Sequence, residues 1–139
     1  LLRPQSGEAM AQHRLSLNLY KRMQTYTIDA TGKKLGRLAS EVAVILMGKH
    51  LPDFAPHKPG TSRVLITNAR SLNLPTKKIK EKTYVRYSGY PRGIKERTME
   101  KVIEKFELRD VIEKAVYRML PGNKLRRDRM KRLTINDNA

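Results

Sequence analysis

The sequence contains no cysteine and no tryptophan, and only two of its 139 residues are phenylalanine. Without cysteine, the chain can form neither a disulfide framework nor a thiolate metal site. No apolar run approaches the roughly 20 residues that a membrane-spanning helix needs. These absences predict a soluble or peripheral protein, and they fit a reducing compartment.

Acidic residues are also scarce, and this scarcity indicates a partner. The chain has 30 Lys and Arg against 13 Asp and Glu, a formal net charge of +17. Such an excess repels itself in a compact fold unless a polyanion neutralises it. The charge therefore favours nucleic acid as the partner, with an anionic membrane surface as the second possibility.

The first half of the chain has the pattern of a βαβ unit. Residues 25–30 suit a short strand, and apolar residues recur at helical spacing from 35 to 46. Gly48 is a plausible helix stop. After an irregular stretch with three prolines between 51 and 60, residues 64–68 resemble a buried strand of a parallel sheet. We expect a right-handed crossover between the two strands.

The second half is more basic and more weakly patterned. A charge run at 77–82 precedes a strand at 83–87, and Thr98 can cap a helix whose inward positions include Val102, Ile103 and Phe106. A second helix starts near Leu108 and ends at Pro121, and a basic tail follows it. The chain is therefore expected to form a single α/β domain over residues 23–139, with basic appendages.

Residues 1–22 do not share this patterning. They are basic, with Glu8 as the only acid, and Leu15, Leu17 and Leu19 alternate at strand period. We expect a disordered extension or a start-site artefact. The alternative is the remnant of a targeting sequence, which would place the protein in an organelle instead of the cytoplasm.

Two short segments suggest chemistry that their spacing does not support. Residues 32–37, G-K-K-L-G-R, could aim backbone N–H groups at a phosphate, but they lack the spacing of a nucleotide-hydrolysing loop. They are expected to form a tight turn and helix start whose cations can contact a phosphate backbone. His50, Asp53 and His57 match no standard zinc signature. We therefore predict no metal, no cofactor and no catalytic residues.

The stretch 84–97, Y-V-R-Y-S-G-Y-P-R-G-I-K-E-R, is the strongest candidate for a binding element. Residues 76–97 carry eight Lys and Arg against two Glu. Glycines let a backbone approach a phosphate chain closely, and Tyr87 and Tyr90 can stack on unpaired bases. The alternative is a hairpin-like turn whose tyrosines cover the domain's own core.

Several ordered motifs resemble those of one family. They are D-A-T-G-K-K-L-G-R-L-A (29–39), G-K-H (48–50), I-T-N-A (66–69), S-G-Y-P-R-G-I-K (88–95) and M-L-P (119–121). Together, over about residues 23–135, they resemble the L13 family of large-subunit ribosomal proteins, in its bacterial or organellar form.

The resemblance implies a three-layer α/β/α fold with a small, mostly parallel central sheet, and it implies a structural role. It implies binding to large-subunit ribosomal RNA early in assembly, contacts with neighbouring ribosomal proteins, and no small-molecule substrate. By matching position, the implied RNA contacts are Lys33, Lys34, Arg37, Lys49, His50, His57, Tyr87, Tyr90, Lys95, Asn123, Lys124 and Arg127. Basic or glycine neighbours in the same loops complete the predicted surface, namely Lys58, Arg86, Gly89, Arg92, Gly93 and Arg126.

Two positions depart from the family pattern. Arg92 stands where the family commonly has a glycine after the proline, and Arg126 stands where it commonly has a glycine before an arginine. Both changes add charge where a thin backbone is expected.

The resulting prediction is a non-enzymatic, RNA-binding constituent of the large ribosomal subunit, located on cytoplasmic ribosomes. The rival hypotheses are a free nucleic-acid-processing enzyme, which would need a carboxylate cluster or cofactor loop, and a DNA-binding architectural protein.

Overall fold

The computed structural model describes residues 24–137. Five strands and four helices follow one another in this range, with a 3₁₀ turn at Ala69–Ser71. In chain order they are β1 (Thr25–Asp29), α1 (Leu35–Met47), β2 (Arg63–Thr67), α2 (Thr76–Glu81), β3 (Thr83–Tyr87), β4 (Ile94–Thr98), α3 (Met99–Met119), α4 (Arg126–Met130) and β5 (Leu133–Ile135).

The strands form two separate sheets. The first is entirely parallel in the order β1-β2-β5, with Ile28 paired to Ile66 and Ile66 to Ile135. Ile66, at the centre, is fully buried. The second sheet is the antiparallel hairpin β3-β4. The predicted α/β class, with its three layers and small parallel sheet, is confirmed.

Helix α1 forms where the apolar periodicity predicts it. Leu35, Leu38, Val42 and Leu46 share one face and are buried in the core. Gly48 ends the helix as predicted, with φ of 79° in the left-handed region that glycine adopts without strain. The Gly48 N–H donates to the Ile45 carbonyl, and the next N–H donates to the Val44 carbonyl, which is the Schellman arrangement.

Helix α3 contains the two predicted helices, but the prediction that Phe106 faces inward is wrong, because its side chain, next to the interruption at Glu107, is 45% exposed. The Thr98 hydroxyl accepts a hydrogen bond from the Lys101 N–H at 3.5 Å, and the helical region is interrupted at Glu107, where φ is 61° and ψ is −176°. A residue other than glycine pays about 1–3 kcal/mol for that conformation. The interruption lets Val102 and Val111, one on each side, both reach the core.

Two arginines of the basic tail hold the proline-rich loop. Arg129 is 1% exposed and donates from Nη2 to the Lys58 carbonyl at 3.2 Å. Arg132 donates from Nη1 to the Ser62 carbonyl at 3.4 Å and from Nη2 to the Leu46 carbonyl at 3.3 Å. It also donates to the Pro59 carbonyl. These side chains therefore belong to the fold, although the sequence places them in a run of surface cations.

Burial has an electrostatic consequence for this pair. Desolvation lowers the pKa of Arg132, and the nearby positive charge of Arg129 lowers that pKa further. Carbonyl oxygens of the proline-rich loop accept hydrogen bonds from both guanidinium groups.

Four elements were not predicted: α2, β4, α4 and β5.

No helix within residues 24–137 is long and apolar enough to cross a membrane. The predicted extension at residues 1–22 lies outside the described range. The assignment of 23–139 as one domain stays a prediction.

Candidate nucleic-acid interface

The β3-β4 hairpin presents one basic face. Its register places Tyr84 opposite Arg97 and Arg86 opposite Lys95. Because directly opposed residues of antiparallel strands lie on the same side of the ribbon, these four side chains share a face. The single Glu of β4, Glu96, falls on the other face, so the alternation separates the cations from it.

The tip of the hairpin is a tight turn over residues 90–93. The Gly93 N–H donates to the Tyr90 carbonyl at 2.9 Å, and the Ser88 N–H donates to the Gly93 carbonyl at 3.1 Å. Pro91 at the second position of the turn and a positive φ at the third are the signature of a type II turn. The residue at that third position is Arg92, with φ of 60°.

Arg92 therefore occupies a backbone position that favours glycine. A non-glycine residue in the left-handed region costs about 1–2 kcal/mol. The Arg92 side chain is exposed and forms no ion pair with residues 24–137. The departure from the family pattern thus leaves the turn in place, adds a cation at its tip and adds backbone strain.

Gly93 is required for a different reason. A Cβ at this position would lie 2.8 Å from the Tyr90 carbonyl oxygen and would also overlap the Ser88 hydroxyl. Contacts that close force the turn to rearrange.

A groove of about 770 Å³ lies between the hairpin and the second half of α3. Val102 and Tyr84 contribute to its wall, together with Ser88 and Gly93 from the hairpin tip. All the charged residues that line it are cationic: Arg86, Lys95, Arg97, Lys114 and Arg118. We call this space the basic groove.

Tyr84 joins the hairpin to α3. The Lys114 Nζ lies 5.0 Å from the centre of the Tyr84 ring, and the Arg118 guanidinium lies 5.8 Å from it. Lys114 also pairs with Asp110 at 2.6 Å. Burial raises the pKa of the Tyr84 hydroxyl, and the Arg118 charge opposes that effect. Tyr84 is therefore a neutral packing element that carries cations on its ring.

A second depression of about 890 Å³ shares the lining residues Lys114 and Tyr117 with the basic groove. Its other basic residues come from the C-terminal turn and helix α4, namely Lys124, Arg126, Arg127 and Lys131, and its acidic residues are Asp110, Glu113 and Asp128. Asn123 also lines it. The two predicted regions, the hairpin and the C-terminal segment, thus border two depressions that share Lys114 and Tyr117.

Arg126 is the most constrained of these predicted contacts. It donates to the Leu120 carbonyl at 2.8 Å and to the Pro121 carbonyl at 3.0 Å, and its guanidinium lies 4.6 Å from the centre of the Tyr117 ring. This second departure from the family pattern therefore satisfies carbonyls at the end of α3. Arg127 and Lys124 are exposed beside it.

The predicted contacts at the start of α1 lie in a separate group. Lys33 pairs with Glu41 at 2.9 Å, while Lys34 and Arg37 are exposed. The preceding turn is held by Asp29, whose carboxylate accepts hydrogen bonds from the Thr31 N–H at 3.0 Å and from the Thr31 hydroxyl. These hydrogen bonds lower the pKa of Asp29.

The loop after α1 places the remaining candidates apart from one another. The His50 ring packs edge-on against Tyr26 at 5.0 Å between centroids, and its Nε2 lies 2.9 Å from the Tyr26 hydroxyl. His57 and Lys58 are exposed on the loop. Lys49 lines a third depression of about 510 Å³ together with Asn123. Within residues 24–137, no three His, Cys, Asp or Glu side chains converge to hold a metal.

Three cations of the basic groove were missed at the sequence level: Arg97, Lys114 and Arg118. A signal for them exists. Lys95 and Arg97 are two residues apart in a strand, and Lys114 and Arg118 are four residues apart on a helix, so each pair shares a face. The packing of α3 against the hairpin, which joins the two faces, has no such local signal.

Comparison with known proteins gives concordant matches. The family model described as "Ribosomal protein L13" matches residues 23–139. The "Large ribosomal subunit protein uL13" of Chlorobium phaeobacteroides (strain BS1) is 47% identical over 110 residues, which cover 79% of this chain and 73% of that protein. The protein of the same name from Pelotomaculum thermopropionicum is 45% identical over 116 residues, covering 83% and 79% of the two chains. That from Thermotoga maritima is 46% identical over 110 residues, covering 79% and 73%.

Proposed function

The chain belongs to the ribosomal protein L13 family, and we propose from this membership that it is a structural constituent of the large ribosomal subunit. Its role is to bind large-subunit ribosomal RNA and to contact neighbouring ribosomal proteins. It is not an enzyme, because the family is a non-enzymatic component of the ribosome. The predicted location on cytoplasmic ribosomes follows from the same membership.

For the RNA-binding surface, we propose the hairpin tip, the basic groove and the C-terminal turn beside it. The single observation that carries this assignment is that every charged residue lining the basic groove is cationic, and that only Lys114 among them pairs with a carboxylate within residues 24–137. The remaining cations repel one another, and RNA phosphates remove that repulsion. The exposed cations at the start of α1, Lys34 and Arg37, provide a second point of contact with the RNA backbone.

We expect Lys95→Ala to weaken binding to a large-subunit ribosomal RNA fragment by about threefold to tenfold. The salt slope, which is the slope of the logarithm of the binding constant against the logarithm of the salt concentration, should become shallower by about one unit. Lys95 is exposed and forms no ion pair with residues 24–137, so the protein should unfold at an unchanged urea concentration. Filter binding at several salt concentrations measures the affinity and the slope.

Lys105→Ala is the matched control, because Lys105 is exposed on α3 and does not line the basic groove. The RNA affinity of the Lys105→Ala variant should stay within twofold of the affinity of the parent protein, a difference of at most about 0.4 kcal/mol in binding free energy. An unchanged affinity and slope for Lys95→Ala, or equal losses for both variants, would contradict the proposed surface. Arg92→Ala should also weaken binding without unfolding the domain, through loss of the tip cation.

A further inference from the structure

We propose that the basic groove binds an unpaired segment of RNA and does not accommodate a duplex. The inference rests on the proposed function and deepens it, because it specifies the form of RNA at this site. It also assigns binding roles to Arg97 and Arg118, which neither the motifs nor the comparisons single out.

The first argument is the arrangement of charge. Arg86 and Lys95 are directly opposed across the hairpin, and like charges at such a pair destabilise a ribbon. Lys114 is paired with Asp110, so its charge is largely neutralised. The groove cations that form no ion pair with residues 24–137 are Arg86, Lys95, Arg97 and Arg118. They come from both sides of the groove, so a phosphate chain lying within it meets cations from the hairpin and from α3.

The second argument is the aromatic content of the walls. The faces of two tyrosines are already partly occupied, Tyr84 by Lys114 and Arg118, and Tyr117 by Arg126. Tyr87, at the end of β3, contributes to the groove lining, is 63% exposed and carries no cation on its ring among residues 24–137. Strand alternation places it on the face opposite Arg86 and Lys95, so its ring can stack on a base at the edge of the groove. Basic grooves combined with free aromatic rings are the usual binding surface for single strands.

The third argument is the shape of the site. A space of about 770 Å³ is within the range of pockets that enclose small molecules, and it shares Lys114 and Tyr117 with the depression beside the C-terminal turn. In an RNA duplex the bases are stacked inside, and side chains cannot read the deep, narrow major groove. A duplex can therefore contact only the rims, whereas the bases and phosphates of an unpaired strand can both enter.

The test uses the full chain and two labelled RNAs of one sequence, a 12-nucleotide single strand without self-complementarity and the corresponding duplex. Fluorescence anisotropy is expected to show at least fivefold tighter binding of the single strand. The double variant Arg97→Gln/Arg118→Gln should weaken single-strand binding about tenfold and lower the salt slope by about 1.4, at 0.7 per phosphate contact. Its affinity for the duplex should change by less than twofold.

Tyr87→Leu separates stacking from charge. Loss of the ring should weaken single-strand binding about fivefold or more without changing the salt slope, since stacking on a base adds no phosphate contact. Lys105→Gln, away from the groove, is the control for charge alone. Circular dichroism and urea unfolding confirm that each variant is folded.

Equal affinity for the two RNAs, or equal losses on both RNAs in the double variant, would overturn this inference and indicate a surface that senses only charge density. Those outcomes leave the proposed function intact if the parent protein still binds ribosomal RNA. A failure to bind ribosomal RNA would instead remove the proposed function itself.

Discussion

Gly93→Ala is expected to weaken RNA binding by at least tenfold while the α/β core stays folded. The added methyl group would lie 2.8 Å from the Tyr90 carbonyl oxygen, which is backbone and cannot rotate away. The turn that aligns β3 with β4 must therefore open, and the opposition of Arg86 to Lys95 is lost with it. A tenfold loss corresponds to about 1.4 kcal/mol, a modest value for displacing several cations at once.

The core should tolerate this change because the hairpin forms its own sheet. Gly93 makes no pairing with the β1-β2-β5 sheet. We expect filter binding to show the lost affinity and urea unfolding to show a change of less than about 1 kcal/mol, since a two-stranded ribbon adds little stability.

Two further variants make the interpretation specific. Ser88→Ala combined with Gly93→Ala removes the hydroxyl that the new methyl group overlaps, but it leaves the clash with the Tyr90 carbonyl, so affinity should stay low. Gly36→Ala in α1, where a Cβ meets nothing within 4 Å, should be neutral or stabilise the helix by up to about 1 kcal/mol. Normal RNA binding by Gly93→Ala would show that the hairpin tip does not position the interface.

Arg132→Ala is expected to lower the free energy of unfolding by about 2 kcal/mol. Its guanidinium donates to the carbonyls of Leu46, Pro59 and Ser62, and hydrogen bonds from charged donors contribute about 1.5–3 kcal/mol each before the cost of burying the charge. Removal of the repulsion from nearby Arg129 offsets part of the loss. Urea unfolding should show a lower midpoint at an unchanged slope.

Arg127→Ala is the matched control from the same tail. Arg127 is exposed and lines the depression beside the basic groove. Its unfolding free energy should stay within about 0.5 kcal/mol of the parent, while RNA affinity falls by about threefold. Equal stabilities for the Arg132 and Arg127 variants would contradict the structural role of Arg132.

This contrast shows why the tail could not be interpreted from sequence. Arg127, Arg129 and Arg132 are chemically equivalent members of one basic run, and only the return of the chain as β5 beside β2 buries Arg129 and turns Arg132 toward the loop. The three residues of β5 are too few for a periodicity, and its pairing is long-range. Helix α2 buries no residue at all, so its charge run carries no helical signal.

The elements that were predicted are those with a buried face. Helix α1 follows from Leu35, Leu38 and Leu46, and the end at Gly48 follows from the conformational freedom of glycine. Strand β2 was evident as an apolar run. Strand β4 is exposed along almost its whole length, so alternation of apolar and polar residues could not mark it.

The candidate site was foreseen in part. The hairpin and the C-terminal turn were singled out from charge, tyrosine content and family motifs, but their union through Lys114 and Tyr117 depends on how α3 packs. The RNA-binding roles of the residues named from the sequence stay predictions. From the sequence, Arg92 is only a departure from a glycine of the family pattern. Its positive φ shows that it occupies a backbone conformation that glycine adopts without strain.

The most direct test of the ribosomal assignment is sedimentation of large subunits through a high-salt wash. We expect the chain to remain with the large subunit and to crosslink to its ribosomal RNA, because many phosphate contacts within a folded RNA hold it in place. Recovery of the chain as free protein, without ribosomal RNA crosslinks, would contradict the central claim.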